Sequence, residues 1–157
     1  MYRRILVPVD GSTTSNRGLR EALGLAREHG ARVRLLHVVD ESVLALAPEV
    51  GVVDITDSLV EAGKKILSNA QAVADRQGVK AETAMPENLA GRVADVILNE
   101  ARKWRADLIV MGTHGRRGIS HMLLGSDAEG VLRSSPVPVL LVRGSAPGRA
   151  TRAGQRR

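Results

Sequence analysis

Short apolar runs alternate with longer amphipathic stretches along this chain, and the alternation limits the folds open to it. The amphipathic stretches repeat apolar residues at helical spacing, as Leu19, Ala22, Leu23 and Ala26 do in the first of them. Strands that alternate with helices form a parallel sheet covered by helices on both faces. We therefore predict one α/β domain. The predicted strands are 5–9, 33–39, 79–85, 108–111 and 137–142.

Capping and breaking residues predict where the helices begin. The predicted starts are 12–16, 56–57, 86–88 and 126. Residues 40–57 contain Pro48 and Gly51 and are predicted to form a long loop with a helical turn at 42–46.

The polarity of each strand predicts its place in the sheet. Strands one, two and four are mainly apolar, as central strands of a parallel sheet are. Strand three alternates apolar and polar residues, which favours an edge. Strand five contains Pro138, which cannot donate to a ladder and also favours an edge. The predicted strand order is 3-2-1-4-5.

This order reverses between strands one and four, and ligands of open α/β sheets bind at such a switch point. Two loops meet there, one at residues 9–12 and one at residues 112–126. The second loop carries Gly112, Gly115, Gly125 and Ser126. Glycine lets the backbone approach a ligand closely, and the first amides of a helix can bind an anion. The pattern predicts a phosphate-binding loop; its alternative is a turn without a ligand.

Composition excludes several classes of function. The chain has no cysteine, so it has neither disulfides nor thiolate metal sites. Its aromatic residues are Tyr2 and Trp104, too few for binding single-stranded nucleic acid by stacking. The net charge is +6, and four arginines without any acid lie in the tail 144–157. No run approaches the length of a membrane helix, and we predict a soluble cytoplasmic protein. The four scattered histidines predict no zinc site, and His37 is interpreted as a satisfied core residue.

The glycine pattern resembles the ATP-binding motif of the universal stress protein family. The resemblance extends to about Val142 and includes the segments 5–12, 36–38, 106–112 and 134–142. It implies an adenine nucleotide alpha-hydrolase-like domain at 1–143, followed by a basic tail at 144–157 that we predict to be disordered. It also implies ATP bound with Mg or Mn, and a homodimer formed through the last strand, Val137–Val142.

The resemblance further implies residue roles. Asp10 lies against the nucleotide and is the candidate metal ligand together with the phosphates. Val38 lies beside the adenine, and Met111 and Gly112 form the floor of the site. The other residues implied at the nucleotide are Pro8, Val9, Gly115, Gly125 and Ser126. From its charge, Arg116 is a further candidate for contact with phosphates, or else part of a solvated basic loop. Asp10 could instead be only an N-cap of the first helix, a role for which Ser12 competes.

Asp127 follows the motif where many family members carry an uncharged residue. A carboxylate in the first helical turn interacts favourably with the helix N-terminus and would compete with a phosphate or repel it. Alternatively, it would hold a metal ion on the phosphates, because Mg²⁺ prefers carboxylate and phosphate oxygens. The sequence leaves both alternatives open.

The sequence shows no catalytic set. It has neither a Walker lysine nor a Gly-x-Ser-x-Gly elbow, and phosphoryl transfer needs positioned cations and a group that orients water. We therefore predict an ATP-binding sensor or regulator of the stress response with an unidentified protein partner. The alternatives are a slow ATPase and a dimeric interaction module that has lost nucleotide binding.

Overall fold

The computed structural model describes residues 1–40, 52–86, 91–113 and 124–144, and its centre is a parallel sheet. The strands are β1 (Arg4–Pro8), β2 (Arg32–Leu36), β3 (Ala81–Ala84), β4 (Leu108–Gly112) and β5 (Val139–Val142). Their order is β3-β2-β1-β4-β5 and every pairing is parallel, so the predicted order is confirmed. β5 begins directly after Pro138, whose carbonyl accepts from the Ile109 N–H at 3.0 Å.

Alternate residues of the central strands pack on opposite faces of the sheet. The helices are α1 (Thr13–His29), α2 (Val52–Arg76), α3 (Val93–Trp104) and α4 (Ser126–Ser134). Ile5 and Val7 of β1 pack in a cluster with residues of α1 and α2. Leu6, between them, packs in a second cluster with residues of α3 and α4. Helices therefore cover both faces, which explains why residues 5–7 of β1 and 108–111 of β4 are apolar without interruption. β2, although central, carries Arg34 among its apolar residues.

Both ends of α1 follow the local sequence. Ser12 is the N-cap, and its hydroxyl accepts from the Ser15 N–H at 3.1 Å. Gly30 ends the helix in the left-handed conformation with φ 64°, which a glycine adopts without a steric penalty. The predicted start and end of this helix are confirmed.

Two other predicted helix starts were wrong. α2 begins at Val52, so Thr56 and Asp57 lie inside the helix and do not cap it. Side-chain capping preference is a weak signal when the helix gains packing against a sheet. α3 begins at Val93 and not at 86–88, because Gly91 has φ 154° and Arg92 is extended. The predicted turn at 42–46 lies outside the described residues.

A charged network lies on the α3 face of β2 and β3. Arg34 Nη2 donates to Glu82 Oε2 at 2.9 Å, and Arg34 also pairs with the buried Glu100. Trp104 Nε1 donates to Glu82 Oε1 at 2.8 Å. Burial would raise the pKa of Glu82. Hydrogen bonds from Arg34 and Trp104, with the charges of Arg34 and Arg32, outweigh burial and hold that pKa below its ordinary value.

Within the described ranges, no helix is both long enough and apolar enough to cross a bilayer.

Candidate functional site

The site predicted from the sequence lies at the carboxyl ends of β1, β2 and β4, where the strand order reverses. We call its described residues the switch-point site: Pro8–Asp10, Val38, Met111–Thr113 and Gly125–Asp127. Val9, Met111 and Thr113 are buried, whereas Asp10 and Val38 are half-buried. Half-buried side chains at the rim can contact a ligand while the buried ones hold the backbone in place.

The two halves of the glycine pattern close on each other. Thr113 follows β4, and its N–H donates to the Val142 carbonyl at 3.0 Å. After residues 114–123, the Gly125 N–H donates back to the Thr113 carbonyl at 2.9 Å. This bond brings the start of α4 to the end of β4. Gly115 and Arg116 lie outside the described residues.

The start of α4 faces solvent. Gly125 is its N-cap, and among the described residues no side chain caps the helix. Ser126 and Asp127 are exposed, and Asp127 and Glu129 put two carboxylates in the first turn. Exposed amides at a helix N-terminus can bind an anion, while the two carboxylates lower the positive potential there.

Gly112 is also required by packing. A Cβ at Gly112 would lie 2.9 Å from Thr14 Cγ2 and 3.1 Å from the Ser15 backbone nitrogen. In turn, a Cβ at Gly18 of α1 would lie 3.4 Å from the Gly112 nitrogen. The start of α1 therefore packs directly on the end of β4, and a glycine is needed at position 112 with or without a ligand.

Asp10 belongs to a tight turn between β1 and α1. Its Oδ1 accepts from the Ser12 N–H at 2.8 Å, while its own N–H donates to Ser15 Oγ at 3.2 Å. Because Ser12 is the N-cap of α1, the alternative that Asp10 is that cap was wrong. The turn instead orients the Asp10 carboxylate at the rim of the site.

His37 is buried beneath this turn, as predicted for a satisfied core residue. Its Nδ1 lies 2.8 Å from the Val9 carbonyl oxygen. A carbonyl oxygen only accepts, so Nδ1 carries the proton and donates. The sequence did not predict that Ser15 and Thr113 are buried at the site. A signal for Ser15 was present, because an N-cap at Ser12 makes Ser15 the N3 residue, whose N–H the Ser12 hydroxyl binds.

The described residues contain no group of three or more histidine, aspartate or glutamate side chains that could hold a metal ion. Asp10 is the carboxylate at the rim that fits a metal carried by phosphates. Mg²⁺ keeps most of its waters and needs only one or two carboxylates beside phosphate oxygens. An oriented carboxylate such as that of Asp10 is compatible with that kind of site.

A family model and individual relatives of known sequence indicate the same protein family. Residues 1–143 match the Universal stress protein family. The chain is 39% identical over 144 residues to Universal stress protein MJ0531 of Methanocaldococcus jannaschii, covering 91% of this chain and 83% of that protein. It is 37% identical over 151 residues to Universal stress protein YxiE of Bacillus subtilis, covering 91% of this chain and 100% of that protein.

Solved structures agree. Hypothetical protein MJ0577 superposes with a TM-score of 0.80 at 29% identity, covering 93% of this chain and 99% of that one. The universal stress protein of Archaeoglobus fulgidus in complex with dAMP gives 0.69 at 25% identity, covering 90% and 98%. A universal stress protein in complex with cAMP gives 0.66 at 26% identity, covering 92% and 98%. The chain belongs to the universal stress protein family.

Proposed function

We propose that this chain binds an adenine nucleotide, ATP with Mg²⁺ or Mn²⁺, at the switch-point site and acts as a nucleotide-responsive regulator of the stress response in the cytoplasm. The observation that carries the proposal is the bond from Gly125 to Thr113, which brings the start of α4 to the end of β4. The start of α1, to which Asp10 is bonded through Ser15, packs on that same strand end at Gly112. Two structural relatives were solved with dAMP and with cAMP, which supports an adenine nucleotide as the ligand.

The proposed roles follow the chemistry at each position. Asp10 contacts the nucleotide and shares its metal ion with the phosphates, because its carboxylate is the oriented acid at the rim. Pro8 and Val9 flank the nucleotide, and Val38 lies beside the adenine. Met111 and Gly112 form the floor. Ser126 and Gly125 bind phosphate or ribose together with Gly115 and Arg116.

Nucleotide binding is tested by thermal unfolding of the purified full chain with ATP, ADP or AMP and Mg²⁺ or Mn²⁺. A ligand that binds only the native state at one hundred times its Kd adds about 2.7 kcal/mol to the unfolding free energy. Mass spectrometry of the denatured protein detects nucleotide that copurifies. The absence of both stabilisation and copurified nucleotide would contradict the proposal.

The two alternatives for Asp127 are separated by charge removal with a matched control. Asp127→Asn and Glu129→Gln each remove one exposed negative charge from the first turn of α4. If Asp127 holds the metal ion, Asp127→Asn weakens ATP binding only when Mg²⁺ is present. If it repels phosphate, Asp127→Asn strengthens binding with and without Mg²⁺. Glu129→Gln measures the general effect of the charge, and each variant also removes the contacts of the carboxylate it replaces, among them the ion pair of Glu129 with Arg133.

We also propose a homodimer formed through β5. This edge strand carries Leu140, which is 39% exposed, and lies beside an open groove of about 530 Å³ that is also lined by Arg17 and Glu21 of α1. An apolar strand edge is an aggregation hazard unless it is covered. Leu140→Lys should convert the dimer to a monomer in light scattering. Leu132→Lys on α4, at a residue that is 50% exposed, is the control and should leave the dimer intact. A wild-type monomer would contradict this proposal.

A further inference from the structure

Two buried side chains from different elements hold the same peptide group at the switch-point site. His37 Nδ1 donates to the Val9 carbonyl oxygen at 2.8 Å, and the Asp10 N–H donates to Ser15 Oγ at 3.2 Å. That carbonyl and that N–H are the two polar ends of the peptide group between Val9 and Asp10. His37 is 7% exposed and Ser15 is 5% exposed. The bond from His37 is buried, and the bond from the half-buried Asp10 to Ser15 is partly buried.

A peptide group that is bonded at both ends cannot rotate unless both bonds break. The group is planar, so a rotation moves its oxygen and its nitrogen together, and the buried Val9 oxygen must keep a partner. The preceding peptide is fixed as well, because the Val9 N–H donates to the Leu36 carbonyl at 2.8 Å. These bonds fix the backbone that leads into Asp10, and the bond from the Ser12 N–H then fixes the direction of the Asp10 carboxylate.

Packing holds the His37 ring in turn. A Cβ at Gly63 of α2 would lie 2.6 Å from His37 Cδ2 and 3.0 Å from His37 Nε2, so α2 touches the ring through a glycine. The same Cβ at Gly63 would lie 2.9 Å from Met85 Sδ. The His37 backbone N–H donates to the Ala84 carbonyl at 3.0 Å. α2 therefore closes the side of the ring that carries Cδ2 and Nε2, and a movement of the ring toward α2 is blocked.

We propose that His37 and Ser15 are positioning residues, which fix the Val9–Asp10 peptide group and thereby aim the Asp10 carboxylate at the nucleotide. This role rests on the proposed function, since it concerns the same site. His37 and Ser15 act through Asp10 and do not contact the nucleotide. The competing account makes them core residues whose loss lowers the unfolding free energy and nothing else.

The experiment compares His37→Leu, His37→Asn, Ser15→Ala and their His37→Leu/Ser15→Ala combination in the full chain. Leucine cannot donate to Val9, whereas the asparagine amide can reach the place of Nδ1. Val33→Ala is the control, because it truncates a buried side chain of β2 that does not touch the Val9–Asp10 peptide. The measurements are Mg²⁺–ATP affinity by calorimetry, urea unfolding, and hydrogen exchange of the Asp10 amide against amides within β1.

We expect His37→Leu and Ser15→Ala each to weaken Mg²⁺–ATP affinity by about three- to tenfold, the equivalent of one lost hydrogen bond. The fold-loss of affinity in the double variant should be smaller than the product of the two single fold-losses, because both hydrogen bonds hold the same peptide group. His37→Asn should restore most of the affinity. The Asp10 amide should exchange faster in His37→Leu, although His37 is not its partner.

The proposal is overturned if His37→Leu behaves as Val33→Ala does, with a lower unfolding free energy but unchanged ATP affinity and no selective change at the Asp10 amide. Failure of the proposed function gives a different result. In that case the wild type binds no adenine nucleotide, and exchange of the Asp10 amide in His37→Leu still decides whether the peptide group is held from both ends.

Discussion

Replacing Gly63 with alanine tests how closely α2 packs on His37. Gly63 lies inside a 25-residue helix, where a glycine is normally a weak point. A Cβ there would lie 2.6 Å from His37 Cδ2 and 2.9 Å from Met85 Sδ. The sulfur ends a flexible side chain and can move. The imidazole cannot move without loss of its bond to the Val9 carbonyl.

The expected magnitude is the difference between opposing effects. Alanine in place of a helical glycine contributes about 1 kcal/mol to stability through backbone propensity. Overpacking a filled core costs about 1–3 kcal/mol. Loss of the His37–Val9 hydrogen bond costs about 1 kcal/mol more. The gain from propensity offsets the lost hydrogen bond, so we expect Gly63→Ala to lower the unfolding free energy by about 1–3 kcal/mol, the cost of overpacking.

The chain contains a matched control. Gly24 lies inside α1, and a Cβ there would meet nothing within 4 Å. Gly24→Ala should therefore raise the unfolding free energy by about 1 kcal/mol. Urea unfolding followed by the fluorescence of Trp104, the single tryptophan, measures both variants. Close packing of α2 on the His37 ring is contradicted if Gly63→Ala stabilises the protein as Gly24→Ala does.

Three further predictions concern local contacts. Ser12→Ala removes the N-cap of α1 and should lower the unfolding free energy, measured by urea unfolding, by about 1 kcal/mol. An unchanged urea midpoint would contradict a stabilising role for this cap. Gly112→Ala should cost about 1–3 kcal/mol even without nucleotide, because Thr14 backbone carbon lies 3.0 Å from the new Cβ. Because the folded pKa of Glu82 is lowered, its ionised contacts stabilise the fold above the ordinary pKa of 4.5 and are lost as pH falls through the folded value. In Glu82→Gln, the unfolding free energy should fall less steeply with pH in that acid range than it does in the wild type. Equal slopes in the two proteins would contradict this.

The sheet order was predictable because its determinants are local. Pro138 marks an edge strand by its missing N–H, and the alternation in 79–85 marks the other edge. Helix starts were less predictable, because several residues offer caps and tertiary packing selects among them. Thr56 and Asp57 are good caps, yet α2 extends past them to Val52.

The bonds that hold the Val9–Asp10 peptide were not predictable from the sequence. The bond from Ser15 needs the path of the chain between β1 and α1, and the bond from His37 needs β2 beside β1 in the observed register. The position of His37 within an apolar strand predicted that it is buried, but that position does not tell which carbonyl a buried imidazole meets. Such contacts depend on tertiary geometry that spacing alone does not encode.

Packing and ligand binding make overlapping demands on the glycine pattern. Gly112 would be required by Thr14 and Ser15 even in a protein without a nucleotide. A loss of binding in Gly112→Ala would therefore not separate a ligand contact from a packing defect. Gly125 is the more informative glycine of the pattern, since its N–H donates to the Thr113 carbonyl and it is the N-cap at the exposed start of α4. Variants at the exposed Asp127 change charge at that start without filling a packed space, so they report on the nucleotide more directly than any glycine substitution does.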